Sequence, residues 1–276
     1  LDEAVQWLIP DRYWSLRDIW INFFASSLVQ IGIAKGLKPS FIAKLPNRAS
    51  LRFLCCLLLV AVVLVGACLL NTPRRIAWYA ERIPLLDFIV KNESLMMEYG
   101  HLYKEPEIGI FRSRFSREEL KKIDSQRAIE AAKILDRFQE KALYQLFLKI
   151  YTPITDPFVH EARVHLFSRD HHFNRSSDTK HDPKEYARHL TIARNENRFM
   201  EKYFSSTLRE SNYTWSEETL YLTREHRLKD MDYRSSVSRG LITKFSEDQI
   251  AVFLVILILG LILLIWHLGR QKSSRF

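Results

Sequence analysis

The sequence predicts an all-α, polytopic membrane protein in which transmembrane helices carry a mostly helical extramembrane domain. Three observations lead there. Two apolar runs, Phe53–Leu70 and Ile250–Trp266, are long enough to cross a bilayer. The segment between them is highly charged, and its apolar residues recur at helical intervals. Basic residues gather beside the ends of the apolar runs, where the positive-inside rule places them.

The totals narrow the function classes. A net charge of +9 over 276 residues would suit a nucleic-acid partner, but seven basic residues precede the first long apolar run and three follow the last. That distribution fits membrane topology better than a nucleic-acid groove, so no nucleic acid is expected. Cys55, Cys56 and Cys68 all fall within the first run and form no CxxC or haem-type motif. They read as small packing residues, and no cofactor is expected.

Residues 1–9 read as the end of an apolar helix stopped by Pro10. Asp11 to Ser15 form a polar turn whose Tyr13 and Trp14 suit the headgroup level, and Ser15 is placed to cap the next helix. Ile19 to Leu37 is apolar apart from Asn22, Ser26, Ser27, Gln30 and, near its end, Lys35, which suits a span inside a bundle. Lys35, Lys38, Lys44, Arg48 and Arg52 then accumulate without an acid, which places 38–52 on the cytoplasmic side. The next run carries the chain out, and Arg270, Lys272 and Arg275 return its end to the cytoplasm.

Within the extramembrane segment, Ile76–Val90 reads as an interfacial helix, and a loop containing Gly100, Pro106 and Gly109 follows. Ser116 with Glu119 makes a capping-box start for a long helix, or two stacked ones, ending at Pro153. Ala162–Phe167 alternates and is the best strand candidate. Asp182, Pro183 and Glu185 form a second helix start, with Asp182 capping and Glu185 reaching back; Leu190, Ala193, Met200 and Tyr203 supply its buried stripe. Another helix starts near Ser216.

The opening residues carry the one specific motif. Asp2, Glu3, Gln6, Pro10, Arg12, Ser15, Asp18 and Asn22 follow D-E-x-x-Q-x-x-x-P-x-R-x-x-S-x-x-D-x-x-x-N, which resembles the signature of the VanZ-like family of bacterial membrane proteins. The match covers about the first 35 residues. Asp11 stands where the family most often has glycine, and Phe24 to Ser26 replace a small or glycine-rich patch. The resemblance implies a polytopic envelope protein connected with glycopeptide-antibiotic resistance, and it implies no particular reaction. Because the chain enters directly into the motif at Leu1, further sequence is expected before it.

The expected organisation is therefore 1–37 as the C-terminal part of a VanZ-like membrane domain and 38–52 as a basic cytoplasmic connector. A transmembrane helix over 53–70, an extracytoplasmic helical domain over 71–248, a second span over 249–269 and a cytoplasmic tail over 270–276 complete it. The location implied is the bacterial inner membrane, multi-pass. On helices, Asp2 and Glu3 share a face with Gln6, Arg12 lies in reach of the acids, and Asn22 follows Asp18 by one turn. The cluster reads either as a clasp fixing helix packing or as a site for a polar lipid headgroup or wall precursor.

His160, His165, His171 and His172, with Glu161 and Asp170 among them, are the other concentration of ligand-type residues. Zinc needs three convergent ligands, and the H-E-x3-H spacing, one residue longer than H-E-x-x-H, does not stack two imidazoles on one helical face, so a surface or interface cluster is expected and no metal. Three functions stand open. The first is a non-catalytic VanZ-like protein binding an envelope component or affecting antibiotic access. The second is an accessory subunit of a larger membrane complex, and the third a metal-dependent envelope hydrolase using the four histidines.

Overall fold

The computed structural model describes residues 6–7, 9, 15–37, 47–91, 95–228 and 231–270. In chain order the helices are α1 (Leu16–Gly32), α2 (Arg48–Leu69), α3 (Pro73–Arg82) and α4 (Asp87–Lys91). A hairpin of β1 (His101–Glu105) and β2 (Gly109–Ser113) follows, then α5 (Arg117–Arg137), α6 (Tyr144–Ile150) and α7 (Pro157–Asp178). The last are α8 (Pro183–Tyr203), α9 (Ser205–Glu210), α10 (Glu217–Glu225) and α11 (Glu247–Arg270). The chain divides into two compact units. One takes its described residues from 1–75, 94–97 and 245–276, the other from 76–93 and 98–244.

In the first unit α2 and α11 are long and apolar enough to cross a membrane, and only 11% of each apolar window is buried. At ~1.5 Å per residue they are about 33 and 36 Å long, against a hydrocarbon core of ~30 Å. Asn47 caps α2 by accepting from the Ser50 amide at 2.8 Å, so the helix starts at Arg48, ahead of the apolar run. α1 is shorter, at 17 residues, and continues into a π-helical turn at Ile33–Leu37.

The helices α2 and α11 pair antiparallel. A Cβ at Gly66 would meet Leu254 Cδ1 at 3.1 Å, and one at Gly269 would meet the Arg52 guanidinium carbon at 3.3 Å. At the other end Arg75 and Glu247 pair at 3.0 Å. Gly66 thus marks the close approach of two apolar helices. Gly66→Ala is expected to be tolerated, since the Leu254 methyls need shift only by tenths of an ångström. Gly66→Leu should cost about 1–3 kcal/mol of overpacking. Thermal unfolding of the detergent-solubilised chain measures both, and an unchanged midpoint for Gly66→Leu would refute the contact.

The second unit is built around Phe111, Leu120, Leu135, Phe147, Phe158, Leu166, Phe199 and Phe204, all at most 1% exposed. Its helix starts follow the sequence closely. Ser116 and Glu119 form the full capping box, with bonds of 3.2 and 2.7 Å. Asp182 caps α8, accepting from the Lys184 and Glu185 amides at 3.0 and 3.3 Å. The Glu185 carboxylate does not reach back to the cap; it accepts from Arg188 at 3.2 Å.

Three further expectations are corrected. Ala162–Phe167 is not a strand but the middle of α7, which Asp156 caps at 3.1 Å with Pro157 at its first turn. The alternation of polar and apolar residues does not separate two faces, since Arg163 and His165 are buried alongside Ala162 and Leu166. The expected helix over Ile76–Val90 breaks after Arg82, because Pro84 cannot continue it, and resumes as a short turn and α4.

The expected loop around Gly100 and Gly109 is the hairpin, pairing Tyr103 with Phe111, whose rings lie 5.1 Å apart. Gly109 has φ +105°, and a Cβ there would meet the Tyr233 carbonyl oxygen at 2.4 Å, so glycine is required. The segment from Tyr233 to Ser235 runs beside the hairpin, ahead of a turn at Val237–Gly240. Ile110 N–H donates to the Tyr233 carbonyl, and Ser235 N–H to the Ile110 carbonyl, each at 2.8 Å.

Candidate functional site

Of the N-terminal polar motif, Asp2, Glu3 and Arg12 lie outside the described residues, while Gln6 is described and half-buried. Ser15 caps α1, its hydroxyl accepting from the Asp18 amide at 3.4 Å. Asp18 occupies the first turn, where a carboxylate is favoured by the helix dipole. Asp18 and Asn22 are both exposed, one turn apart.

The four histidines do not converge. His160 Nδ1 bonds the Tyr151 carbonyl at 2.8 Å, and burial beside Arg114 pushes its pKa down to about 4. His165 is fully buried and places Nδ1 2.5 Å from Glu196 Oε2. His171 is exposed, against the Phe167 ring. His172 Nδ1 lies 2.8 Å from His189 Nδ1, and burial together with its imidazole neighbours holds its pKa at about 4. The expected surface cluster is thus corrected for His160 and His165, which are buried. Among the described residues no three His, Cys, Asp or Glu side chains are placed to hold a metal.

The reason is helical geometry. On α7, residues 165 and 172 are seven apart and face the antiparallel α8, where they meet residues 196 and 189. His160, five residues before His165, faces elsewhere. The seam between the two helices is a buried polar network. Glu196 accepts from His165, from Ser235 at 2.7 Å and from the Tyr233 hydroxyl. Burial alone would raise its pKa, but His165, Tyr233 and Ser235 outweigh that and hold the carboxyl below its ordinary range. Since an ionised carboxylate only accepts, His165 Nδ1 must carry a proton.

Beside it, Arg114 joins Glu98 at 2.7 Å and Glu161 at 3.5 Å, while its backbone N–H donates to Glu161 at 3.1 Å. Arg169, 2% exposed, donates to Asn197 at 3.0 Å, the Tyr213 carbonyl at 2.8 Å and Asp170 at 2.8 Å. These groups are tied to one another, so the seam is suited to fixing geometry rather than to moving protons.

Tyr233 connects this network to a surface groove of about 610 Å³ between the hairpin turn and α8. Thr191, Asn195 and Arg198, at successive turns of α8, line it together with Lys104 and Ile108 of the hairpin and Arg227. Glu105 in the groove is neutralised, accepting from Lys202 at 2.8 Å, Arg117 at 2.7 Å and Tyr203 at 2.8 Å, and its carboxyl is held below the usual range chiefly by the Lys202 bond. The groove therefore has a rigid floor and polar walls, the features of a preformed binding surface.

The sequence reading missed Glu196, Tyr233, Ser235, Arg114 and the groove residues. One signal was present: Glu196 and Asn197 fall on the buried stripe of α8 between Ala193 and Met200, as Glu161, His165 and Arg169 do on α7. A charged residue inside an apolar stripe marks a buried, partnered group. Compared with family models, curated proteins and solved structures, the chain matches none.

Proposed function

We propose that this chain is a VanZ-like integral membrane protein of the bacterial envelope whose extramembrane domain binds an envelope component in its polar groove, without catalysing a reaction on it. The observation that carries this reading is the groove itself: open, polar-walled and set on a buried hydrogen-bonded network, in a chain with two membrane-length helices. Two further features support the topology. Arg48 and Arg52 start α2 and Arg270 ends α11 in an antiparallel pair, so the basic ends fall together, as they would at the cytoplasmic face. Trp78, Ile83 and Leu85, in the segment that follows α2 in sequence, are exposed, a composition that suits an interfacial segment.

Asn195 and Arg227 test the groove, since they line it and hold no ion pair or hydrogen bond among the described residues. In Asn195→Ala/Arg227→Ala, envelope lipid or wall precursor copurifying with the chain is expected to fall severalfold at unchanged protein level. Asp18→Ala should separately alter glycopeptide susceptibility. Equal recovery and equal susceptibility in variants and parent would reject the reading, and stoichiometric comigration with other subunits in native gels would favour the accessory-subunit alternative.

A further inference from the structure

A second cleft, of about 320 Å³, opens between the end of α5 and the side of α7. Gln139, Lys141, Arg163, Asp170, His171 and Asn174 line it, with Phe167 and Phe173 as apolar wall. Its unusual member is Arg163, 2% exposed. A buried guanidinium is costly unless its charge is matched, and no carboxylate pairs with it among the described residues. Nη2 donates to the Phe138 carbonyl at 3.0 Å, which satisfies the end of α5, and the Tyr144 and Tyr213 rings lie 5.0 and 5.8 Å from the guanidinium carbon.

Those contacts account for part of the group. Nε is buried without an acceptor, and Nη1 has no hydrogen bond among the described residues. The acid at the cleft, Asp170, is already held by Arg169 at 2.8 Å. The remaining charged group is Lys141, with the donors of His171, Gln139 and Asn174 around it. The cleft thus has an excess of cationic and donor groups drawn from two segments of chain and lacks one acceptor.

We propose that this cleft is an anion site that takes a phosphate group carried on a small organic body, the phosphate between Arg163 and Lys141 and the body against Phe167. Arginine provides the fork that phosphate oxygens match, lysine a point charge, and the aromatic wall a surface for the remainder of the ligand. The site shares no lining residue with the Asn195 groove and stands independently of its function. The phosphate could come from a soluble phosphomonoester or from a lipid headgroup.

The test uses the full chain in nanodiscs of zwitterionic lipid, titrated with inorganic phosphate and followed by calorimetry and by ³¹P line broadening. Saturable binding is expected, weakened about tenfold or more in Lys141→Ala/His171→Ala, whose side chains are exposed and leave the fold intact. Arg163→Gln should abolish it; because Arg163 also closes α5, its fold is checked by circular dichroism, and the double variant decides if it has unfolded. Phosphatidic acid in the nanodisc should raise the apparent Kd if a lipid headgroup is the ligand and leave it unchanged if the ligand is soluble; either supports the site. No saturable binding, or equal affinity in parent and double variant, would overturn it.

Discussion

Glu196→Ala is expected to destabilise the second unit by roughly 3–5 kcal/mol, since it leaves three buried donors without their acceptor at ~1–3 kcal/mol for each unsatisfied group. The carboxylate is 1% exposed and accepts from three groups, His165, Tyr233 and Ser235, which are themselves at most 5% exposed. Its removal strands their donors without water, and the desolvation of each is then uncompensated. Glu196→Gln keeps the shape and one acceptor, so it should cost less. Exchanging both partners, as in His165→Phe/Glu196→Met, should recover part of the loss, because neither polar group is left alone. Denaturant unfolding of the solubilised chain, followed by far- and near-ultraviolet dichroism, measures all three. A loss below about 1 kcal/mol for Glu196→Ala would show that the network does not hold the seam.

Acidification should destabilise the same unit from about pH 6.5 downward, above the ordinary carboxylate range. His160, His172 and His189 are all held below their ordinary pKa, in each case first by burial, with His160 and His172 at about 4. A histidine whose folded pKa is depressed binds its proton more readily in the unfolded chain. Stability is therefore full above ~6.5, falls as the pH drops through the unfolded value, and levels off below about 4. For His160, 8% exposed, a drop from 6.5 to about 4 corresponds to roughly 3 kcal/mol over that window. The paired His172 and His189 add to it in the same direction, since protonating both rings places two cations 2.8 Å apart. Glu196, with its lowered pKa, contributes only below the ordinary carboxylate range.

Melting temperature against pH checks this. The slope between pH 6.5 and 4 should be steep in the parent and shallower in His160→Gln. A flat profile across that window would show that the histidines are not buried in neutral form.

Much of the local architecture was legible because its causes are local. Ser116 with Glu119, Asp182 before Pro183, and Ser216 each mark a helix start through contacts within four residues of chain. The two apolar runs identify themselves by length alone. The strand expected at Ala162–Phe167 shows where this kind of reading fails: with both faces buried, inside and outside are set by α8 and α5, not by the residues' own polarity. The hairpin was hidden for a similar reason, since Gly109 owes its necessity to the carbonyl of Tyr233, far along the chain.

By itself, the sequence determined that the chain is mostly helical, where its principal helices begin, and that two of them match the thickness of a bilayer, because capping and hydropathy act over a few neighbouring residues. Only the tertiary structure decided that Glu196 is shared by His165, Tyr233 and Ser235, that the four histidines separate instead of converging, and that Arg163 faces a cleft without a carboxylate. Those outcomes depend on which helix faces meet, and a buried charge is given its partner by packing across the fold rather than by its position in the chain.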